Sequence, residues 1–276
     1  MPASLAGRTV FISGASRGIG LAMGLRAARD GANVCILAKT AEPHPRLAGT
    51  IHTAAAEIEA AGGQALPVIG DVRDEGDVVR AVRECAERFG GVDVCINNAS
   101  AINVSGTLDL PVKAFDLMQA VNVRGTFMVT KACLPHLFEA ANPHVLMISP
   151  PLNMDRRWFK DHVGNTIAKY GMSMQVHGMA EEFRDRGVAF NALWPRTYIA
   201  TDAVRNVLGG DEAMARSRRP EIMGDAAHAI VVRPSRECTG NFFIDDDVLR
   251  AEGVTDFGQY LHGDAREEDL APDFFV

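Results

Sequence analysis

The chain has 276 residues, 47% of them hydrophobic, and a formal net charge of −7 at pH 7. That length suits one large domain with a buried core, and the acidic balance excludes a phosphate-backbone partner, because nucleic-acid binders present a basic face or stripe. No run approaches the roughly 18 apolar residues that span a bilayer, and the opening Met1-Pro-Ala-Ser-Leu-Ala-Gly-Arg8 lacks the apolar core of about 7 to 15 residues that marks a secretory signal. A soluble, cytoplasmic protein is therefore expected. The five cysteines, Cys35, Cys85, Cys95, Cys133 and Cys238, are an odd number with no C-x-x-C pair, and they read as small buried hydrophobes in a reducing compartment.

In chain order, the first informative stretch is Thr9-Val-Phe-Ile-Ser-Gly-Ala-Ser-Arg-Gly-Ile-Gly20. An apolar strand runs into Gly14, Gly18 and Gly20 and then into a helix from Leu21. Such a turn lets backbone amides and a helix N-terminus approach a pyrophosphate without Cβ interference, so a dinucleotide is the implied ligand. From there to residue 148, apolar runs at 8–13, 33–38, 65–70, 92–96 and 144–149 alternate with amphipathic stretches near 18–30, 50–61, 74–89 and 111–140. Further strands are predicted at 188–194 and 241–244. Alternation of this kind predicts an α/β fold, a single Rossmann-type doubly wound parallel sheet of about seven strands flanked by helices.

The end of the second strand reads Ala38-Lys39-Thr40. An enzyme preferring NAD usually places an acid there, about 20 residues beyond the glycines, to meet the ribose 2′-hydroxyl. A cation at that position, with Arg17 in the glycine loop, favours a 2′-phosphate, and NADP(H) over NAD(H). Asp71, in Gly70-Asp-Val-Arg-Asp74, is placed to accept from an adenine amino group, and Asp74 to cap the next helix. The fourth strand runs into Asn97-Asn-Ala-Ser100, whose amides are expected to line the cofactor cleft because buried polar groups need partners. Asn122, inside a long apolar helix, reads as exposed or capping.

Taken together, Gly14-Ala-Ser-Arg-Gly-Ile-Gly20, Asp71-Val72, Asn97-Asn-Ala-Ser100 and Asn122-Val-Arg-Gly125 resemble the short-chain dehydrogenases/reductases over essentially the whole chain. More narrowly, Ala38-Lys-Thr-Ala-Glu-Pro-His-Pro45, Ile148-Ser-Pro-Pro-Leu152, Lys169-Tyr-Gly-Met-Ser-Met174 and Gly178-Met-Ala-Glu-Glu182 are similar to its hydroxysteroid dehydrogenase-like branch. Members of that branch can carry a C-terminal sterol-carrier domain, which is expected to be absent from a chain ending Pro272-Asp-Phe-Phe-Val276. The resemblance implies cofactor contacts from Gly14, Ser16, Arg17, Gly18, Ile19, Gly20, Lys39, Asp71, Val72, Asn98, Ala99, Lys169, Pro195 and Thr197.

The same resemblance implies a catalytic set of Tyr, a Lys four residues later, a Ser and a helix Asn. Residues i and i+4 share a helix face, so the ammonium sits beneath the phenol and favours its ionised form. Here Lys169 is in place, Asn122 supplies the helix Asn and Ser149 the Ser, but Asn165 occupies the position of the Tyr. A carboxamide donates hydrogen bonds yet exchanges no proton near neutral pH. Candidate substitutes are Tyr170, Tyr198, His162 and Ser149; the first three also have structural roles, core packing or an interface for Tyr170, a loop over the nicotinamide for Tyr198 and an exposed helix start for His162. Trp158 and Phe159, in the loop Asn153-Met-Asp-Arg-Arg-Trp-Phe-Lys160, either wall an apolar pocket or pack against the body.

The segment near 196–220, with Gly209-Gly210 as a hinge, reads as a substrate lid. Asp245-Asp-Asp247 does not read as a metal site, because consecutive acids diverge from one another. The expected function is an NADP(H)-dependent oxidoreductase acting on a small hydrophobic carbonyl or alcohol, with chemistry weakened or rerouted at Asn165. The alternative is an impaired protein that uses NADP(H) as a sensor or structural ligand. The helices at 111–140 and 162–183, with Met172, Met174 and Met179, are expected to build a homo-oligomer interface.

Overall fold

The computed structural model describes residues 4–44 and 47–276; Met1, Pro2, Ala3 and Pro45, which fall in segments quoted above, lie outside the described residues. Seven strands form one sheet: β1 Thr9–Ser13, β2 Asn33–Ala38, β3 Gln64–Ile69, β4 Val94–Asn97, β5 His144–Met147, β6 Ala189–Trp194 and β7 Phe242–Ile244. Their order is β3-β2-β1-β4-β5-β6-β7, and every pairing is parallel. Parallel strands need crossovers, and helices α1 Gly18–Arg29, α2 Ile51–Ala60, α3 Glu75–Phe89, α4 Val112–Met118, α5 Thr126–Leu137 and α6 Val163–Glu182 provide them. The doubly wound sheet predicted from the alternation is thus present.

Because side chains alternate across a strand, each face of the sheet collects its own core. Ile12, Ile36, Ile96 and Leu146 pack with Met23 of α1, Ile58 of α2 and Ile222 on one side. Phe11, Leu37, Met147 and Phe190 pack with Val78 of α3, Leu137 of α5 and Val176 of α6 on the other. All five cysteines are buried free thiols within these layers, as their apolar settings predict.

Several boundaries differ from the sequence reading. The predicted helix at 111–140 is broken by a wide turn at Gln119–Gly125, where the hydrogen-bond ladder slips by one residue between α4 and α5. Three helices come after β6: α7 Gly210–Met214, α8 Glu221–Val231 and α9 Asp245–Ala251. Asp245, Asp246 and Asp247 form the first turn of α9, where acids suit the helix dipole, and Asp246 pairs with Arg196, Arg218 and Arg250. Asp74 caps α3 by accepting from Asp77 N at 2.9 Å.

Strand succession reverses direction between β1 and β4, and in open sheets of this kind a crevice opens there at the carboxyl ends of the strands. The cleft of this molecule is at that place.

Candidate functional site

The cleft begins at the turn between β1 and α1. Gly14 and Gly18 adopt φ of 73° and 58°, the left-handed region that favours glycine. A Cβ on Gly14 would meet Ala99 Cα at 2.7 Å, and one on Gly20 would meet both Asn98 Nδ2 and Gly14 O at 2.5 Å. The loop is therefore pressed onto the end of β4 with no room for a side chain. Asn98 locks this contact by donating to Gly14 O at 2.7 Å, while Ser13 Oγ accepts from the backbone of Asn98 and Ala99. Helix α1 has no side-chain cap and no acid in its first turn. Its leading N–H groups and positive dipole end are thus left for an anion.

The cleft measures about 840 Å³ and runs from this loop to Lys169. Gly14, Ser16, Arg17, Gly18, Ile19 and Lys39 line one end. Asp71, Val72, Asn98 and Ala99 line its middle, and Lys169 and Pro195 the far end. Two of the expected cofactor contacts are elsewhere. Gly20 supports the loop from beneath, and Thr197 is buried, bridging Pro272 with its hydroxyl unpartnered. Thr201 lines the cleft instead, close against Gly18.

Arg17 also differs from expectation. Its guanidinium donates to Ala48 O at 2.7 Å and Gly49 O at 3.0 Å, and lies 3.7 Å from Asp202, so it ties the loop after β2 to the chain beyond β6. Lys39 is exposed at the end of β2. Asp71 forms a bidentate pair with Arg73, which holds its carboxyl below the usual range. Of the two amides ending β4, Asn98 faces the cleft while Asn97 turns inward to Thr130 Oγ1 at 2.9 Å.

Of the catalytic candidates, Asn122, Ser149 and Asn165 are buried and do not line the cleft. Asn122, read from the sequence as exposed or capping, is fully buried in the wide turn, where its carboxamide accepts from Ala101 N at 2.8 Å and donates to Ala101 O at 2.9 Å. Those two bonds spend the side chain on the loop after β4. Ser149 and Asn165 are buried, and neither Ser149 Oγ nor Asn165 Oδ1 has a hydrogen-bond partner. Neither one lines the cleft.

Lys169 does line it. The ammonium is buried, donates to Ile148 O at 3.3 Å and sits 5.1 Å from the Trp194 ring. Burial pulls its pKa down to about 8, against the opposing effect of nearby Asp273.

Asp273 had no signal in the sequence beyond an acid between Pro272 and two phenylalanines. Segment 270–276 folds back over α6, with Asp273 N donating to Arg196 O at 2.9 Å. It brings this carboxyl into the cleft, where burial pushes its pKa up to about 7; the bond from Phe274 N and the charge of Lys169 oppose that rise. Phe275 is buried against Trp158, Tyr170 and Trp194.

This packing settles the remaining candidates. Tyr170 lies in that aromatic cluster, as core packing predicts, and donates to Asn153 O. Trp158 and Phe159 belong to the same cluster and do not line the cleft. His162 begins α6 half-buried with its ring edge-on to Phe274, and Tyr198 packs with Val204 and Met214; neither lines the cleft. Of the three methionines assigned to an interface, Met172 and Met179 are core residues and Met174 is exposed.

The family described as short chain dehydrogenase matches residues 8–210. Hydroxysteroid dehydrogenase-like protein 2 of Danio rerio is 57% identical over 99% of this chain and 64% of its own length, and that of Homo sapiens 54% over the same shares. The chain thus spans about two-thirds of these relatives, just short of it at 64%. A short chain dehydrogenase from Mycobacterium thermoresistibile, solved by crystallography, is 53% identical with a TM-score of 0.92, covering 99% of this chain and 96% of that one. The glycine loop, the parallel sheet and these similarities agree, and the chain belongs to the short-chain dehydrogenase/reductase family of oxidoreductases, in the branch of hydroxysteroid dehydrogenase-like protein 2.

Proposed function

We propose that the protein is an NADP(H)-dependent oxidoreductase acting on a small hydrophobic carbonyl or alcohol. The observation that carries this reading is the continuity of the cleft, since one space of about 840 Å³ joins the glycine loop to the buried Lys169. The residues present fit a dinucleotide: a turn too tight for any Cβ, an uncapped helix N-terminus and a lysine at the distance of one long cleft.

When bound, the nicotinamide supplies or accepts a hydride. The chain's own residues do the rest. Loop 14–20 and the start of α1 hold the pyrophosphate, Asp71 and Val72 flank the adenine, Asn98 and Ala99 support the middle, and Lys169 holds the nicotinamide ribose. NADP(H) is favoured over NAD(H) because the end of β2 offers exposed Lys39 and no acid; Arg17, committed to Ala48 and Gly49, adds charge more than a free hand. A hydrophobic substrate follows from Ile102, Leu117, Val121, Val207 and Leu208, which line the cleft. The chain near 196–220 serves as its lid, with Gly210 at φ 64° as a pivot. The protein acts in the cytoplasm as a homo-oligomer.

Asn165 in the position of the family's Tyr weakens proton transfer without altering the cofactor site. Hydride-transfer assays with NADPH and a panel of apolar ketones and aldehydes, on the native chain and on Asn165→Tyr, test this. Turnover by the native chain, raised about 10²- to 10³-fold in Asn165→Tyr, is expected, within the range of general acid–base assistance. If neither form oxidises NADPH with any carbonyl, the reading fails and a sensor or structural role for the dinucleotide takes its place.

A further inference from the structure

We propose that Asp273, carried into the cleft by segment 270–276, exchanges the proton with the substrate oxygen in this chain, with Lys169 as the charge beside it. The proposal rests on the oxidoreductase reading above and names the group that completes it. Three observations lead to it. First, Asn165 and Ser149 are buried and do not line the cleft, and the Asn165 carboxamide has no proton to exchange near neutral pH. Second, Tyr170, Tyr198 and His162 all have side chains packed away from the cleft lining. Third, Asp273 lines the same end of the cleft as Ile148, Lys169 and Trp194.

The other acids of the cleft lie elsewhere or are already engaged. Asp71 pairs with Arg73, Asp202 faces Arg17, and Glu221 pairs with Arg219. Glu57 belongs to α2. Asp273 has one bond, accepted by Oδ1 from Phe274 N at 2.6 Å, which fixes its direction and leaves Oδ2 free of it. Lys169 donates to Ile148 O instead of clamping this carboxylate, so the acid and the ammonium face the cleft without neutralising each other.

The ionisable groups around Asp273 come from three elements. Lys169 of α6 favours its charged form, Asp245 of α9 opposes it, and Tyr198, within the segment 196–220, feels its charge in turn. Burial outweighs Lys169, and a carboxyl titrating at about 7 is poised for transfer in either direction at neutral pH. In the reductive direction the carbonyl carbon gains a hydride from the reduced dinucleotide as the carboxylic O–H of Asp273 breaks and the alcohol O–H forms. The carboxylate left behind lies beside the Lys169 ammonium and regains a proton from solvent through the open cleft; oxidation reverses each transfer.

Two measurements on the full chain test this. Infrared difference spectra of the ligand-free protein from pH 4 to 9 are expected to show a carboxylic-acid band titrating near 7 that is missing from Asp273→Asn; Asp245, at about 6, stays in both and cancels. Steady-state reduction should show kcat falling above about pH 7 in the native chain. In Asp273→Asn, kcat should drop about 10²- to 10⁴-fold, more than KM changes and without that pH limb. Asp273→Glu should recover part of the rate, and Asn165→Tyr added to Asp273→Asn should raise it at least about tenfold by supplying the missing acid. Asp273→Asn with native kcat and pH profile overturns the proposal alone, as does a native chain that is inactive while Asn165→Tyr turns over. Inactivity of every form with every carbonyl overturns the oxidoreductase reading and this proposal with it.

Discussion

Lys169 shows what one side chain gains and loses by its setting. Its ammonium is buried at the cleft end with a single carbonyl and the face of Trp194 for partners, and burial lowers its pKa from 10.5 to about 8. The unfolded chain therefore binds more protons than the folded one between those two values, and stability rises with pH across that window. Urea unfolding at pH 7.5 to 10.5 should show this rise in the native chain and its loss in Lys169→Met, whereas equal pH slopes in the two would mean the lysine is hydrated. At this scale much of the cofactor end was legible, because Gly14, Gly18 and Asn98 act through local backbone geometry that a spacing of residues encodes. Asp273, Asn122 and Thr201 were not, since their roles depend on contacts with Lys169, Ala101 and Gly18 made by distant parts of the chain.

Helices α4, α5 and α6 present a second feature, an apolar outer face. Val112 and Leu117 of α4, Phe127 of α5, and Ile167 and Met174 of α6 are exposed, while Met172 and Met179 on other sides of α6 are spent on the core. These exposed apolar side chains are the ones the proposed homo-oligomer would bury. Phe127→Asp combined with Met174→Asp is expected to shift the protein from an oligomer to a monomer in sedimentation at micromolar concentration with little change in its far-ultraviolet spectrum. A native chain that sediments as a monomer would contradict the assignment. Helical period tells which residues share a face and not which face the sheet covers, so Met172 and Met179, grouped with Met174 from the sequence, prove to be core residues while Met174 is exposed. The wide turn between α4 and α5 was invisible for a related reason: it is held by Asn122 binding the backbone of Ala101, a tertiary contact that no local propensity announces.

Over the whole molecule, the arrangement is a sheet whose strand order reverses between β1 and β4, with a cleft at the reversal that connects the glycine loop to the buried Lys169. Alternating strands and helices fixed this architecture in advance, since parallel strands admit few connections. The closing of the far end by segment 270–276 was beyond reach, because a short terminal stretch carries no period and its place is set by Phe275 fitting among Trp158, Tyr170 and Trp194. The central claim is that the cleft holds NADP(H), and calorimetric titration of the native chain with NADPH and with NADH tests it most directly. Saturable binding of NADPH at one site per chain, at least about tenfold tighter than NADH and reversed in preference by Lys39→Asp, is the predicted result. No heat of binding from either dinucleotide would contradict the account.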